Sequence, residues 1–380
     1  MKFLHLSDLH IGKSVNGYPM IEEQKHAFKQ IIGYIKTVEP EAVIIAGDVY
    51  DRAIPGVEAV RAFDDFLTEL AHEDIAVILI SGNHDSPERI SYASRLLIDN
   101  RIYFYGAFDG SAHKVVLADE YGEVAFYLLP FIKPASVRGI SGDTENESYG
   151  DIIAAVLKTA DIDYTSRNVL VSHQFYTRAG IAPERSESEL SPIGGLDAVD
   201  AGIIENFDYV ALGHLHGRQS VGSEHICYCG SPIKYSFSEW CQEKSITLVE
   251  IGEKGTLAIN SLPLEPIHDM REIKGGIDAL MSDEVSNLAD KEDYLRVILT
   301  DEGEIIAPMD KLRSVYPNIM SLDFENSRTH IDITAIEADT ETIGKLSAYE
   351  LFGEFFLETQ GSTMSVDQAA IVQGLLEDEA

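Results

Sequence analysis

Five short apolar runs between residues 3 and 212 each stop at side chains able to bind a cation, and no other feature constrains the fold as strongly. FLHL runs into SDLH, AVIIAG into DVYD, AVILIS into GNHD, NVLVS into H, and YVALG into HLH. Runs this short and this continuously apolar read as strands buried on both faces. Helical patterns near 21–37 and 56–72 separate the first three of them, which argues a layered α/β domain. VVLA and VAFYLLP look like a hairpin, and HICYCG and SITLVEI add further strands. In open α/β sheets ligands sit beyond the carboxyl ends of the strands, so the polar tips are where chemistry is expected.

The tip residues are Asp8 and His10, Asp48 and Asp51, Asn83, His84 and Asp85, His173, and His214 with His216. Taken singly, each has a plain structural explanation: Asp and Asn start turns and cap helices, and a lone histidine is usually a satisfied core or surface residue. Five tips carrying such residues point instead to one centre. The set suits two divalent cations sharing a site, with Asp8, His10 and His216 on one, Asn83, His173 and His214 on the other, and Asp48 bridging at a separation of roughly 3.5–4 Å. Mixed imidazole, carboxylate and carboxamide donors favour Mn²⁺, Fe²⁺ or Zn²⁺ over Ca²⁺. Residues i and i+2 of an extended segment point the same way, so Asp8 with His10, and His214 with His216, can aim at one place. Glycines 47, 82 and 213 just precede the tips and allow close approach of backbone.

A shared pair of cations is a device for hydrolysing phosphate esters, whose leaving alkoxide needs a proton. His84 sits beside a candidate ligand without being required as one, so it is the candidate general acid, with Asp51 orienting it. Histidines 5, 26, 72, 113, 225, 268 and 330 lack a comparable setting and read as structural.

Charge restricts the partners. With 64 acids against 29 bases, the formal net charge of −35 argues against a free-standing nucleic-acid binder, although clustered carboxylates attract divalent cations. The cysteines, Cys227, Cys229 and Cys241, are too few for a disulfide framework and read as core or surface thiols. No apolar run approaches the roughly 18 residues of a membrane span, and no signal-peptide pattern opens the chain, so a cytoplasmic protein without a membrane partner is expected.

The ordered set D-x-H, GD-x-x-D, GNHD, a later single His and GHLH resembles the calcineurin-like metallophosphoesterase superfamily, and within it the SbcD-type family of nucleases. MKFLHLSDLHIGK, FDYVALGHLHGRQ and YCGSPIKYSFSEWCQEKSITLVEI extend the likeness beyond the ligand motifs. The resemblance implies a two-sheet β-sandwich flanked by helices, a small α/β capping domain and C-terminal helices. We place these at 1–260, 261–336 and 337–380, the first boundary lying near the prolines of NSLPLEPIHDM. It also implies metal ligation by Asp8, His10, Asp48, Asn83, His173, His214 and His216, catalysis by His84, and Mn²⁺ as the ion, with Mg²⁺, Fe²⁺ or Zn²⁺ as alternatives. The implied activity is double-strand exonuclease and single-strand endonuclease cleavage of DNA, coupled to ATP hydrolysis by an SbcC-like coiled-coil ATPase, with the chain a homodimer within a heterotetramer.

In the tail, Leu346, Tyr349, Phe352, Phe355 and Phe356 recur at helical spacing, and a second helix follows. The pattern alone fits packing on the body of the chain as well as docking on a partner; the resemblance implies docking. Two departures stand out. Leu9 occupies a place often taken by Trp in bacterial relatives, and GDVYDR resembles the run in which protein serine/threonine phosphatases hold phosphate, which makes Arg52 the basis of an alternative, a stand-alone phosphoesterase acting on small phosphoesters or phosphoproteins.

Overall fold

Every residue of the strands Ala42–Ala46 and Ala76–Ile80 is buried, as continuous apolar runs require when a sheet is covered on both faces. The computed structural model describes residues 1–133, 148–189, 198–327, 329, 347–360 and 363–377. The chain divides into two units, Met1–Asp269 and Met270–Ala380.

The first unit holds two six-stranded sheets. One runs from edge to edge as Leu257–Pro263, Ser245–Ile251, Lys2–Leu6, Ala42–Ala46, Ala76–Ile80 and Ile102–Tyr105. Its strands from Lys2–Leu6 onward are parallel, and the first two pair antiparallel. The other runs as Gln219–Val221, Ser223–Tyr228, Tyr209–Leu212, Arg167–Ser172, Gly122–Leu129 and His113–Asp119, ending in the expected hairpin. Alternation divides the side chains of each strand between faces. Phe3, Ile44, Ile78, Phe126, Val169, Val171 and Tyr209 form the layer between the sheets, with the Phe3 ring 5.6 Å from Phe126 and 5.8 Å from Tyr209, both edge-on. Leu170, Val210 and Leu212 face the other way, into a second core with Ile153, Val156 and Leu157 of the helix Tyr149–Thr159. Burying each such aliphatic or aromatic side chain contributes about 1.5–3 kcal/mol. The helices Ile21–Val38 and Val57–His72 lie against each other through the stacked rings of Phe28 and Phe66, 4.4 Å apart.

The fold is thus the layered two-sheet sandwich with flanking helices. Its first unit runs past residue 260 because Leu257–Pro263 pairs with Ser245–Ile251 along its whole length. Pro263 ends an edge strand, where a missing N–H costs no ladder bond, so the proline that reads as a breaker closes a strand.

The second unit contains a three-stranded parallel sheet, Met270–Gly275, Tyr294–Leu299 and Ile319–Phe324, with a core of Leu295, Val297, Leu299, Leu312 and Tyr316. Its helices Ala348–Gln360 and Val366–Glu377 each begin at a serine whose side chain and a residue three further on satisfy each other's N–H groups: Ser347 with Glu350, and Ser365 with Gln368. Tyr349, Phe352 and Phe355 are exposed on the first, and Val366, Ile371 and Leu375 on the second. Leu346 of the apolar stripe and His330 lie outside the described residues. No helix of the described residues is long and apolar enough to cross a membrane.

Candidate metal centre

The strand tips converge because the pairing of Lys2–Leu6 with Ala42–Ala46 continues beyond them. The N–H of Asp8 donates to the Gly47 carbonyl (3.1 Å), that of His10 to the Asp48 carbonyl (3.0 Å) and that of Ile11 to the Val49 carbonyl (2.9 Å). This extension bends through residues in the left-handed region, with φ of 53° at Asp8, 41° at His10 and 51° at Asp48; His214 stands at 106°. Each such non-glycine conformation costs about 1–3 kcal/mol and persists only where surrounding contacts impose it, a pattern that marks functional sites. All three glycines before the tips are required by close approach: a Cβ on Gly47 would lie 2.3 Å from His173 Nδ1, one on Gly82 would lie 2.1 Å from Asp48 Oδ1, and one on Gly213 would lie 2.0 Å from the Ala46 carbonyl.

All seven candidate ligands meet here. Asp8, His10 and His216 offer donor atoms within 4.8 Å of one another, and the Nε2 atoms of His10 and His216 are 3.1 Å apart. Asn83 Oδ1 lies 3.1 Å from His173 Nε2 and 3.0 Å from His214 Nδ1, which forms the other half. Asp48 stands between the halves, its Oδ2 3.3 Å from His173 Nε2 and 3.7 Å from His10 Nε2. Asp8 is held by the His214 N–H, which donates to both of its oxygens at 3.0 and 3.1 Å.

The donor set fits divalent cations on its own chemistry. Asp8 and Asp48 are almost wholly buried, and among the described residues neither has a lysine or arginine partner. Buried carboxylates cost several kcal/mol each to desolvate, so positive charge brought into this pocket stabilises them. His173 donates its Nδ1–H to the Ala46 carbonyl at 2.7 Å, which turns Nε2 toward the oxygens of Asn83 and Asp48. Imidazole, carboxylate and carboxamide donors converge there, a mixture that suits a divalent cation. Among the described residues His10 Nδ1 and His214 Nε2 are buried without a hydrogen-bond partner.

Burial and mutual charge shift these groups in opposite directions. Burial raises the Asp8 carboxyl above its usual range. Burial acts likewise on Asp48, but the charge of His173 and its hydrogen bond outweigh it and hold Asp48 well below. Burial also opposes protonation of His173, yet Asp48 lifts this imidazole to about 9. Burial, reinforced by His173, lowers His214 to about 3, and burial holds His10 well below the ordinary imidazole value despite the pull of Asp48.

His84 is half-buried, with its ring edge-on to His10 at 4.7 Å and its backbone N–H donating to Asp48 Oδ1 at 2.8 Å. Its Nδ1–H donates to the backbone carbonyl of Asp51 at 3.0 Å. Asp51 therefore meets His84 through its main chain; its carboxylate is occupied by Lys13 Nζ at 3.1 Å. Arg52 is 81% exposed and faces Asp51.

Several supporting residues have no role in the sequence reading. Asp85 accepts the N–H groups of Val49, Tyr50 and Gly82 at 2.9–3.1 Å and so ties two of the tips together. Its carboxyl is raised to about 6 by burial and by the neighbouring Asp48. Gln24, fully buried in the first turn of its helix, donates to the carbonyls of Leu9 and His10. Glu239 and Ser188 contact His216 Nδ1 at 3.3 and 2.8 Å. Only Asp85 left a signal, its place directly after the GNH run; the others come from distant segments.

Comparison with known proteins agrees with this architecture. A model of the calcineurin-like phosphoesterase family matches residues 1–218, and one of the type 5 capsule protein repressor C-terminal domain (SbcD_C) matches residues 266–360. The chain is 32% identical over 349 residues to the SbcD subunit of nuclease SbcCD from Staphylococcus epidermidis, covering 90% of this chain and 91% of that protein. Among solved structures it is similar to a dimetal phosphatase from Danio rerio, with 13% identity, a TM-score of 0.41 and coverage of 69% of this chain and 96% of that one. It is also similar to the phosphopantetheinyl hydrolase of Mycobacterium tuberculosis, with 15% identity, a TM-score of 0.34 and coverage of 61% and 90%. The chain belongs to the calcineurin-like phosphoesterases: it is an enzyme of the metallophosphoesterase class that carries an SbcD-type C-terminal domain.

Proposed function

We propose that this chain is the nuclease subunit of an SbcCD-like complex in DNA repair and recombination, cleaving phosphodiester bonds as a double-strand exonuclease and as an endonuclease on single strands and hairpins. The observation that carries the reading is Asp48 Oδ2 standing between two clusters of buried imidazoles, in a chain similar along nine tenths of its length to a nuclease subunit. Asp8, His10 and His216 would hold one divalent cation, Asn83, His173 and His214 a second, and Asp48 both. Mn²⁺ suits this mixture of imidazole, carboxylate and carboxamide donors. When bound, such a pair polarises the phosphoryl group and lowers the pKa of water toward neutrality.

The remaining work falls to residues of the chain. His84, anchored through Nδ1–H on the Asp51 carbonyl, keeps Nε2 for the substrate and supplies a proton to the departing alkoxide. Asp85 and Gln24 hold the tips in register so that the donors stay gathered.

The formal charge of −35 opposes binding of DNA by the isolated chain. We assign much of the affinity for DNA to an SbcC-like coiled-coil ATPase, which couples cleavage to ATP hydrolysis and docks on the exposed aromatic residues of Ala348–Gln360. The working assembly is then a cytoplasmic heterotetramer containing a homodimer of this chain.

The test is cleavage of linear duplex DNA by the chain together with its partner ATPase, in Mn²⁺ and in chelator. Shortening of the duplex in Mn²⁺ and its loss in chelator are expected. Rapid hydrolysis of small phosphomonoesters with intact DNA would contradict the reading and favour a stand-alone phosphoesterase.

A further inference from the structure

The residues just before the strand Ser245–Ile251 include a short 3₁₀ turn, Phe237–Glu239, that buries an ion pair beside the centre. The side chains of Glu239 and Lys244 are 0% and 7% exposed, and Glu239 Oε2 accepts from Lys244 Nζ at 2.7 Å. Both members of the pair also contact His216. Glu239 Oε1 lies 3.3 Å from His216 Nδ1 and accepts the Ser188 hydroxyl at 2.7 Å, while that hydroxyl oxygen lies 2.8 Å from the same Nδ1. Lys244 Nζ donates to the His216 carbonyl at 2.9 Å and also to Ser231 Oγ and Gln242 Oε1. His216 is thus gripped at its ring and at its main chain by the two members of one pair.

A buried ion pair is a poor way to stabilise a fold, since well-packed apolar residues of similar volume usually serve as well. Its value here lies in orientation. A carboxylate at Nδ1 keeps the hydrogen on that nitrogen and leaves the Nε2 lone pair toward His10, whose Nε2 is 3.1 Å away. We propose that Glu239, held in place by Lys244, is the positioning residue for His216 and sets the divalent-cation affinity of the Asp8–His10–His216 half of the centre. This inference rests on the two-cation reading and adds to it a control on one half alone. The other half has a different anchor, the Ala46 carbonyl at His173 Nδ1.

The experiment is a titration of the metal-free chain with Mn²⁺, following free Mn²⁺ by electron paramagnetic resonance and fold by thermal melting. It compares the wild type with Glu239→Gln and with Glu239→Gln/Lys244→Met, the second of which leaves no unpaired buried charge. The wild type is expected to take up two ions. Each folded variant should keep one at wild-type affinity and bind the other about 10–100-fold more weakly. A general loss of structure would weaken both ions together. Two ions at wild-type affinity in the double variant would overturn the assignment of Glu239 alone, and a wild type that binds no Mn²⁺ would overturn the two-cation reading and this inference with it.

Discussion

Replacing His84 by alanine is expected to lower DNA cleavage by about 10²–10⁴-fold, the usual contribution of a positioned general acid, while both Mn²⁺ ions stay bound. The separation of effects follows from what His84 touches. Its backbone N–H, which alanine keeps, donates to Asp48 Oδ1, and its ring rests on a main-chain carbonyl rather than on a carboxylate. The ring contributes one of three donor atoms in a cluster with His10 and Asp48, so metal content is the discriminating measurement. Loss of an ion in the alanine variant would make His84 a ligand, and undiminished cleavage would remove its catalytic role. The effect should be largest for substrates with poor leaving groups, because a proton matters least where the departing oxygen is already acidic.

Asp48→Asn is expected to do the reverse, abolishing tight binding of both ions and with it activity, by about 10²-fold or more, since several kcal/mol of transition-state stabilisation depend on the bound pair. Asp48 is within reach of both imidazole clusters, at 3.3 Å from His173 and 3.7 Å from His10. The amide is nearly isosteric and retains an oxygen for the His84 N–H, so the fold should survive and the loss can be assigned to the missing charge. Metal analysis after dialysis checks it. Two ions retained in the variant would mean that the halves do not share Asp48.

The strand tips are legible in the sequence because two independent regularities coincide there, a short apolar run and a cation-binding side chain at its end. Asp8 with His10, and His214 with His216, can be paired from spacing, since alternate residues of an extended segment share a direction. The structure adds why the tips hold together: left-handed backbone at Asp8, His10 and Asp48 carries strand pairing beyond the strands themselves. Contacts between distant segments leave no local trace. Gln24 reads as one more polar residue of an amphipathic helix, and Glu239 as an acid in an aromatic run, until folding buries each against a donor or acceptor from elsewhere. Asp51 illustrates a subtler limit, because it reaches His84 through a carbonyl that any residue at that position would supply. Pro263 breaks a pattern in the sequence but merely ends an edge strand in the sheet, so Leu257–Pro263 belongs to the first unit.

In the proposed centre one buried carboxylate, Asp48, joins two cation sites at the tips of the strands. The most direct measurement is the electron paramagnetic resonance spectrum of the full chain loaded with two equivalents of Mn²⁺. A shared Asp48 predicts an exchange-coupled pair, with the isolated six-line signal suppressed. Two independent six-line signals, or a single ion per chain at saturation, would contradict it.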